Sequence, residues 1–134
     1  MVTRRDVLQA VLASGGSGWQ QATDSTRRAG PIFEQDLPNL DLSGWSVTAV
    51  EVRYAAGATS EPHQHPGFVL GYILEGEIVF QLDGESEHVY RVGDMFYEPP
   101  GSVHLVSGNA SATRPARMLA MVFAEKGVAR RHPA

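Results

Sequence analysis

The chain has 134 residues, a length that favours one domain built round a single core. Hydrophobic residues make up 43% and charged residues 19%, ordinary globular values, and the formal net charge of −4 argues against a nucleic-acid partner or an anionic membrane surface. Cysteine is absent. That excludes disulfides, iron–sulfur clusters and thiolate zinc sites, so any metal must be held by histidine, carboxylate or amide oxygen.

No apolar stretch is long enough to cross a bilayer. The N-terminal stretch TRRDVLQAVLASGG, residues 3–16, admits two readings. Thr3-Arg4-Arg5, then Leu8 and a short apolar segment, resembles a twin-arginine export signal, which would place the protein in the periplasm. The same residues also suit a short amphipathic helix in a cytoplasmic protein. Thr3 would cap it, Asp6 would complete a partial capping box, and Val7, Leu8, Val11 and Leu12 would share one face. Residues 14–31 are rich in Gly, Ser, Thr and charge and read as a linker. The boundaries expected are an N-terminal arm over 1–31, a folded domain over 32–126 and a C-terminal tail over 127–134, with His132 in that tail.

From residue 45 the pattern is β. In WSVTAVEVRY, Val50, Val52 and Tyr54 alternate with Glu51 and Arg53. VLGYILEGEIVFQL (69–82) carries β-branched and aromatic residues, with a bend expected at Gly76. Asp83-Gly84 signals a tight hairpin, which leaves His88 at a hairpin edge. HVYRV, MFYEP, VHLVS and RMLAMVFA follow as four further short runs, most of them separated by Gly or Pro. Closely spaced short strands with turn signals point to an all-β antiparallel sandwich or barrel. Tyr72, Phe80, Phe96, Leu105, Met118 and Met121 are the expected core, and some of them must line any pocket.

His63 and His65 would share a face if the stretch is extended, because side chains alternate with period two. Two imidazoles on one face can bind a divalent ion, although an H-x-H alone is a weak signal. His104 raises its weight. It opens a strand after the Pro99-Pro100-Gly101 turn, and an adjacent antiparallel strand could set it beside the other two.

Residues 57–76 resemble the first cupin motif, G-x5-H-x-H-x3-E-x6-G, at Gly57, His63, His65 and Gly76. Residues 93–109 resemble the second, G-x5-P-x-G-x2-H-x3-N, at Gly93, Pro99, Gly101 and His104, with the final Asn one place late as Asn109. With the surrounding strands the resemblance spans about residues 45–124. It implies a small jelly-roll β-barrel with the motif histidines pointing inward, and His63, His65 and His104 as three of the family's four usual ligands. The fourth, a glutamate, should stand at position 69, where this chain has Val69. Phe68 and Leu70 cannot coordinate either.

A three-histidine face with open positions is therefore expected, holding one divalent transition metal ion (Fe, Mn, Ni, Cu or Zn). Glu98, in FYEPPG, competes for the fourth place, or holds a water, or serves as general acid or base. Val69, Tyr72, Phe80 and Phe96 are the expected substrate pocket. Three neutral imidazoles leave the ion's charge intact, which favours an anionic or enolisable small molecule. The expected function is a metal-dependent, dioxygenase-like cupin enzyme; isomerase or lyase chemistry is also open to such a centre. The alternative is a non-catalytic small-molecule binding or sensing barrel. A homodimer is the expected assembly.

Overall fold

The computed structural model describes residues 29–133. Both readings of the 3–16 stretch fall outside them. Residues 29–34 have no regular secondary structure, and the described residues from 35 onward form one compact unit. Among the described residues there is no helix, and so none long and apolar enough to cross a membrane. The described residues form ten strands: β1 (Trp45–Tyr54), β2 (Thr59–Ser60), β3 (His63–Gln64), β4 (Phe68–Glu75), β5 (Glu77–Leu82), β6 (His88–Arg91), β7 (Met95–Glu98), β8 (Val103–Asn109), β9 (Ala116–Glu125) and β10 (His132–Pro133).

They make two sheets, antiparallel throughout. One has the order β1-β9-β4-β7; the other has β10-β3-β8-β5-β6, with β2 paired to β8. This is the all-β architecture that the strand spacing implied. Each long run found by alternation is a strand here. The run from 69 to 82 divides at Gly76, where φ is +69°, a conformation open to glycine without steric penalty. His88 sits at the β5–β6 hairpin edge as expected, opposite Phe80.

The core lies between the sheets. Ile73, Phe96 and Met118 from the first sheet meet Ile78, Phe80 and Leu82 from the second. Along β9 the inward positions are Ala116, Met118, Ala120, Val122 and Ala124. Alanines alternating with larger residues cannot fill the space between two sheets, which stand about 10 Å apart. A cavity results, and Met118, Ala120 and Val122 line it.

Strand parity also corrects three of the core expectations, Tyr72, Leu105 and Met121, the first of them on the outer face of β4. On β8 the inward residue is His104, so Leu105 points outward and is 36% exposed. On β9, Met118 is inward and Met121 falls on the opposite, half-buried face. The C-terminal segment read as a tail is structured: Pro133 and His132 pair with His63 and Gln64.

Asn109, the late residue of the second motif, is a structural tie. Its side-chain amide donates to the Ala55 and Arg114 carbonyls, and its Oδ1 accepts from the Ser111 N–H. It is buried, and these three bonds satisfy it while closing the loop between β8 and β9.

Candidate metal centre

His63 lies on β3 and is the direct cross-strand partner of His104 on β8. Directly paired residues project to the same side of a sheet, so both imidazoles enter the interior. His65 stands just past β3, where Pro66 and Gly67 carry the chain across to the first sheet. Glu98 ends β7, and the Pro99–Ser102 turn, closed by the Ser102 N–H and hydroxyl on the Pro99 carbonyl, brings the chain back to His104. Each motif thus bridges the two sheets at one end of the barrel.

The four side chains meet there. The His63 ring centroid is 5.0 Å from that of His65 and 5.0 Å from that of His104. Glu98 Oε1 lies 2.8 Å from His104 Nδ1, and Oε2 lies 3.7 Å from His65 Nε2. His63, His104 and Glu98 are buried, at 8%, 2% and 3% exposed.

Their hydrogen bonds fix where the lone pairs point. His65 Nδ1 bonds the Arg130 carbonyl. His63 Nδ1 is 2.9 Å from the Glu61 carbonyl and 3.2 Å from an Arg131 nitrogen. A guanidinium has no acceptor, so the proton on Nδ1 goes to the carbonyl, and Arg131 donates to the same Glu61 oxygen at 3.0 Å. Both histidines therefore present an unprotonated Nε2, an assignment made from their partners. Metal-binding histidines are commonly held in this way, through the second ring nitrogen.

His104 sharpens the point. Despite the close approach of Glu98, the angle is not that of a hydrogen bond, and neither ring nitrogen of His104 has a hydrogen-bond partner. The Glu98 carboxylate receives no hydrogen bond among the described residues. Lone pairs of buried imidazoles thus face a buried carboxylate, an arrangement that a cation or a proton among them would relieve.

The residues fit a metal ion by donor type. Among the described residues, no group of three or more His, Asp or Glu side chains is placed to hold a metal ion as it stands; the four are neighbours. Burial holds His63 below its ordinary pKa of 6.5, and the Arg131 charge acts in the same direction, against the Glu61 carbonyl bond. A neutral imidazole is the form that binds metal.

The cluster sits in the wall of a cavity of about 620 Å³, a size that suits a small molecule. Val50, Val52, Val69 and Phe96 supply apolar wall, and Val128–Arg131 lie along it. Of the expected pocket residues, Val69 and Phe96 line the cavity and two do not. Tyr72 alternates with the inward Gly71 and Ile73 and is on the outer face of β4. Phe80 packs behind the wall, its ring centroid 4.1 Å from that of His104 and 4.4 Å from that of Phe96. The bare three-histidine face is also modified, because Glu98 stands among the imidazoles. Residues 128–131, which complete the wall and hold His65, carried no sequence signal beyond their arginines.

A family model of the cupin domain matches residues 50–122, more than half of the chain. The protein belongs to the cupin family. Germin-like protein subfamily T member 3 of Arabidopsis thaliana is 32% identical to this cupin over 99 residues, 70% of this chain and 42% of that protein. Germin-like protein 5-1 of Oryza sativa subsp. japonica is 32% identical over 120 residues, 84% of this chain and 49% of that protein. This cupin thus spans less than half the length of the two curated relatives. Among solved structures, the DMSP lyase DddQ from Ruegeria pomeroyi DSS-3 is similar at a TM-score of 0.58 and 26% identity, over 66% of this chain and 43% of that one.

Proposed function

We propose that this cupin is a metal-dependent enzyme acting on a small organic molecule that presents oxygen donors, with dioxygenase-like oxidation as the leading activity. The observation that carries this reading is the clustering of His63 and His65, each with an open Nε2, the unpartnered His104 ring and the Glu98 carboxylate at one end of a largely apolar cavity. His63, His65, His104 and Glu98 are the ligands. A divalent transition metal held there supplies Lewis acidity and, when redox-active, oxygen chemistry.

The protein's own groups do the rest. The carbonyls of Glu61 and Arg130 hold two imidazoles in one tautomer. Glu98 removes one unit of the ion's double positive charge. Arg131, at the cavity edge beside His63, favours an anionic substrate group. Val50, Val52, Val69 and Phe96 exclude water from the substrate's apolar part.

Lyase chemistry is the second reading, supported by the likeness to the DMSP lyase. Elemental analysis of the purified protein, followed by oxygen uptake and product analysis with a panel of small carboxylates and enols, separates the readings. Oxygen consumption coupled to substrate loss supports the first. Substrate cleavage without oxygen supports the second. Metal bound at well below one ion per chain after incubation with Mn, Fe, Ni, Cu or Zn salts sinks both and leaves a ligand-binding barrel.

A further inference from the structure

The cavity wall carries a second polar island, built from three different strands. Tyr54 Oη on β1 is 2.9 Å from Ser60 Oγ on β2 and 2.8 Å from Ser107 Oγ on β8. Tyr54 and Ser107 are 7% and 2% exposed, and all three residues line the cavity. The neighbouring inward positions on these strands and on β9 are apolar: Val50, Val52, Met118 and Ala120.

Three hydroxyls carry three protons. Two contacts use two of them, whichever way the bonds run. Among the described residues none of the three hydroxyls makes another hydrogen bond, so one O–H remains unspent. On Tyr54 or Ser107 that donor is buried and unfavourable without an acceptor, and on the half-buried Ser60 it faces the cavity. If packing were the only demand, phenylalanine at 54 and alanine at 107 would fill the same space without it. The backbone goes out of its way to keep Ser107 inside. Ser107 is three residues from His104, and on a regular strand the two would face opposite ways. The register shift on β8, where Leu82 pairs with His104 and Gln81 with Val106, makes Leu105 the extra residue of a bulge and returns Ser107 to the interior.

We infer that Tyr54, Ser60 and Ser107 form an oxygen-recognition subsite that donates a hydrogen bond to a carbonyl or carboxylate oxygen of the substrate. The second half of the inference rests on the reading of the His–Glu cluster as a metal centre: the substrate carries two oxygen functions, one for that centre and one for the hydroxyls, joined by an apolar stretch that lies against the valine wall. The hydroxyls are neutral, so they select by position rather than by charge.

The test uses the full chain and a matched pair of probes, glutarate and pentanoate, of equal chain length and differing in the terminal carboxylate. Calorimetric titration is run on the parent after incubation with Mn(II), and on Tyr54→Phe, Ser107→Ala and Arg131→Gln. The parent should prefer glutarate by roughly ten-fold, the scale of one hydrogen bond to a charged acceptor. Tyr54→Phe and Ser107→Ala should reduce that preference to about two-fold or less, while Arg131→Gln, which alters the metal end common to both acids, weakens the two alike and keeps most of the preference. Equal behaviour of the two acids in the parent, including no binding of either, overturns the subsite. So does a preference that survives both hydroxyl variants or vanishes in Arg131→Gln alone. Metal content of the same samples reports separately on the metal centre, since none of the three hydroxyls is assigned as a ligand.

Discussion

Val69 on β4 and Glu98 on β7 are direct cross-strand partners, both turned into the barrel and almost fully buried at 1% and 3% exposed. Position 69 is where the cupin motif places its glutamate. A carboxylate, that of Glu98, stands instead on the next strand, about 5 Å away along the hydrogen-bonding direction. Its oxygens lie 2.8 Å from His104 Nδ1 and 3.7 Å from His65 Nε2.

An exchange of the two residues tests this. Glu98→Val should abolish tight metal retention, a larger loss than the ~10–100-fold seen when an outer partner of a ligand is removed. Adding Val69→Glu to it should restore much of that retention, because the carboxylate returns to the same neighbourhood from the other side of the ladder. Dissociation constants from chelator competition decide it. A double variant no better than the single one would show that Glu98 is not standing in for the motif residue.

A pH effect follows from His63. Burial lowers its pKa in the folded state below the 6.5 of an unperturbed imidazole. The unfolded chain therefore takes up a proton more readily than the folded one, and folding stability falls as pH drops through the window just below 6.5 and is level above it. With a chelator present, the thermal midpoint of the parent should decline across that window more steeply than that of His63→Gln. Equal slopes would count against a buried neutral His63.

Much of this was legible in the chain. Alternation in WSVTAVEVRY put Val50, Val52 and Tyr54 on one face, because that signal is local, whereas His104 was joined to His63 and His65 through the resemblance to the two cupin motifs. Three things were not legible. Tyr72 sits in an apolar run in which either parity looks inward, and only the packing of Val69 and Ile73 decides it. Ser107 owes its place to a bulge that has no marker in VHLVS. The pairing of Pro133 with His63 joins segments seventy residues apart, and such contacts leave no periodic trace. Glu98 was weighed as a ligand, but its position opposite Val69 depends on register, which short strands do not specify.

Gly71 sets the cavity wall behind the cluster. A Cβ at this position would run into the Phe96 ring, which is itself held between Phe80 and Tyr90 at centroid distances of 4.4 and 5.6 Å. Gly71→Ala should destabilise the protein by about 1–3 kcal/mol through overpacking, read as a thermal midpoint lowered by several degrees. It should also displace Phe96 towards the cavity and weaken small-molecule binding there. An unchanged midpoint would mean that the wall yields more easily than a close-packed core.

The C-terminal segment supplies parts of the centre, although it lies beyond the last long strand. The Arg130 carbonyl accepts from His65 Nδ1, Arg131 donates to the Glu61 carbonyl that also holds His63, and β10 adds a rung to β3 at His63 itself. Removing residues 128–134 takes away the outer partner of one ligand and loosens the strand that carries another, while leaving the β1-β9-β4-β7 sheet and the Phe80–Phe96 core untouched. The truncated protein should keep its β-sheet circular dichroism and most of its cooperativity on heating. Its metal affinity should fall roughly 10–100-fold, the range for loss of an outer hydrogen bond to a ligating histidine. Arg131→Ala alone should give a smaller loss, because the Arg130 carbonyl belongs to the backbone and survives the substitution. Chelator competition on the three proteins measures the ladder of affinities. Equal affinity for the truncated and full chains would separate the segment from the centre and leave His65 to be held by the Pro66–Gly67 turn alone.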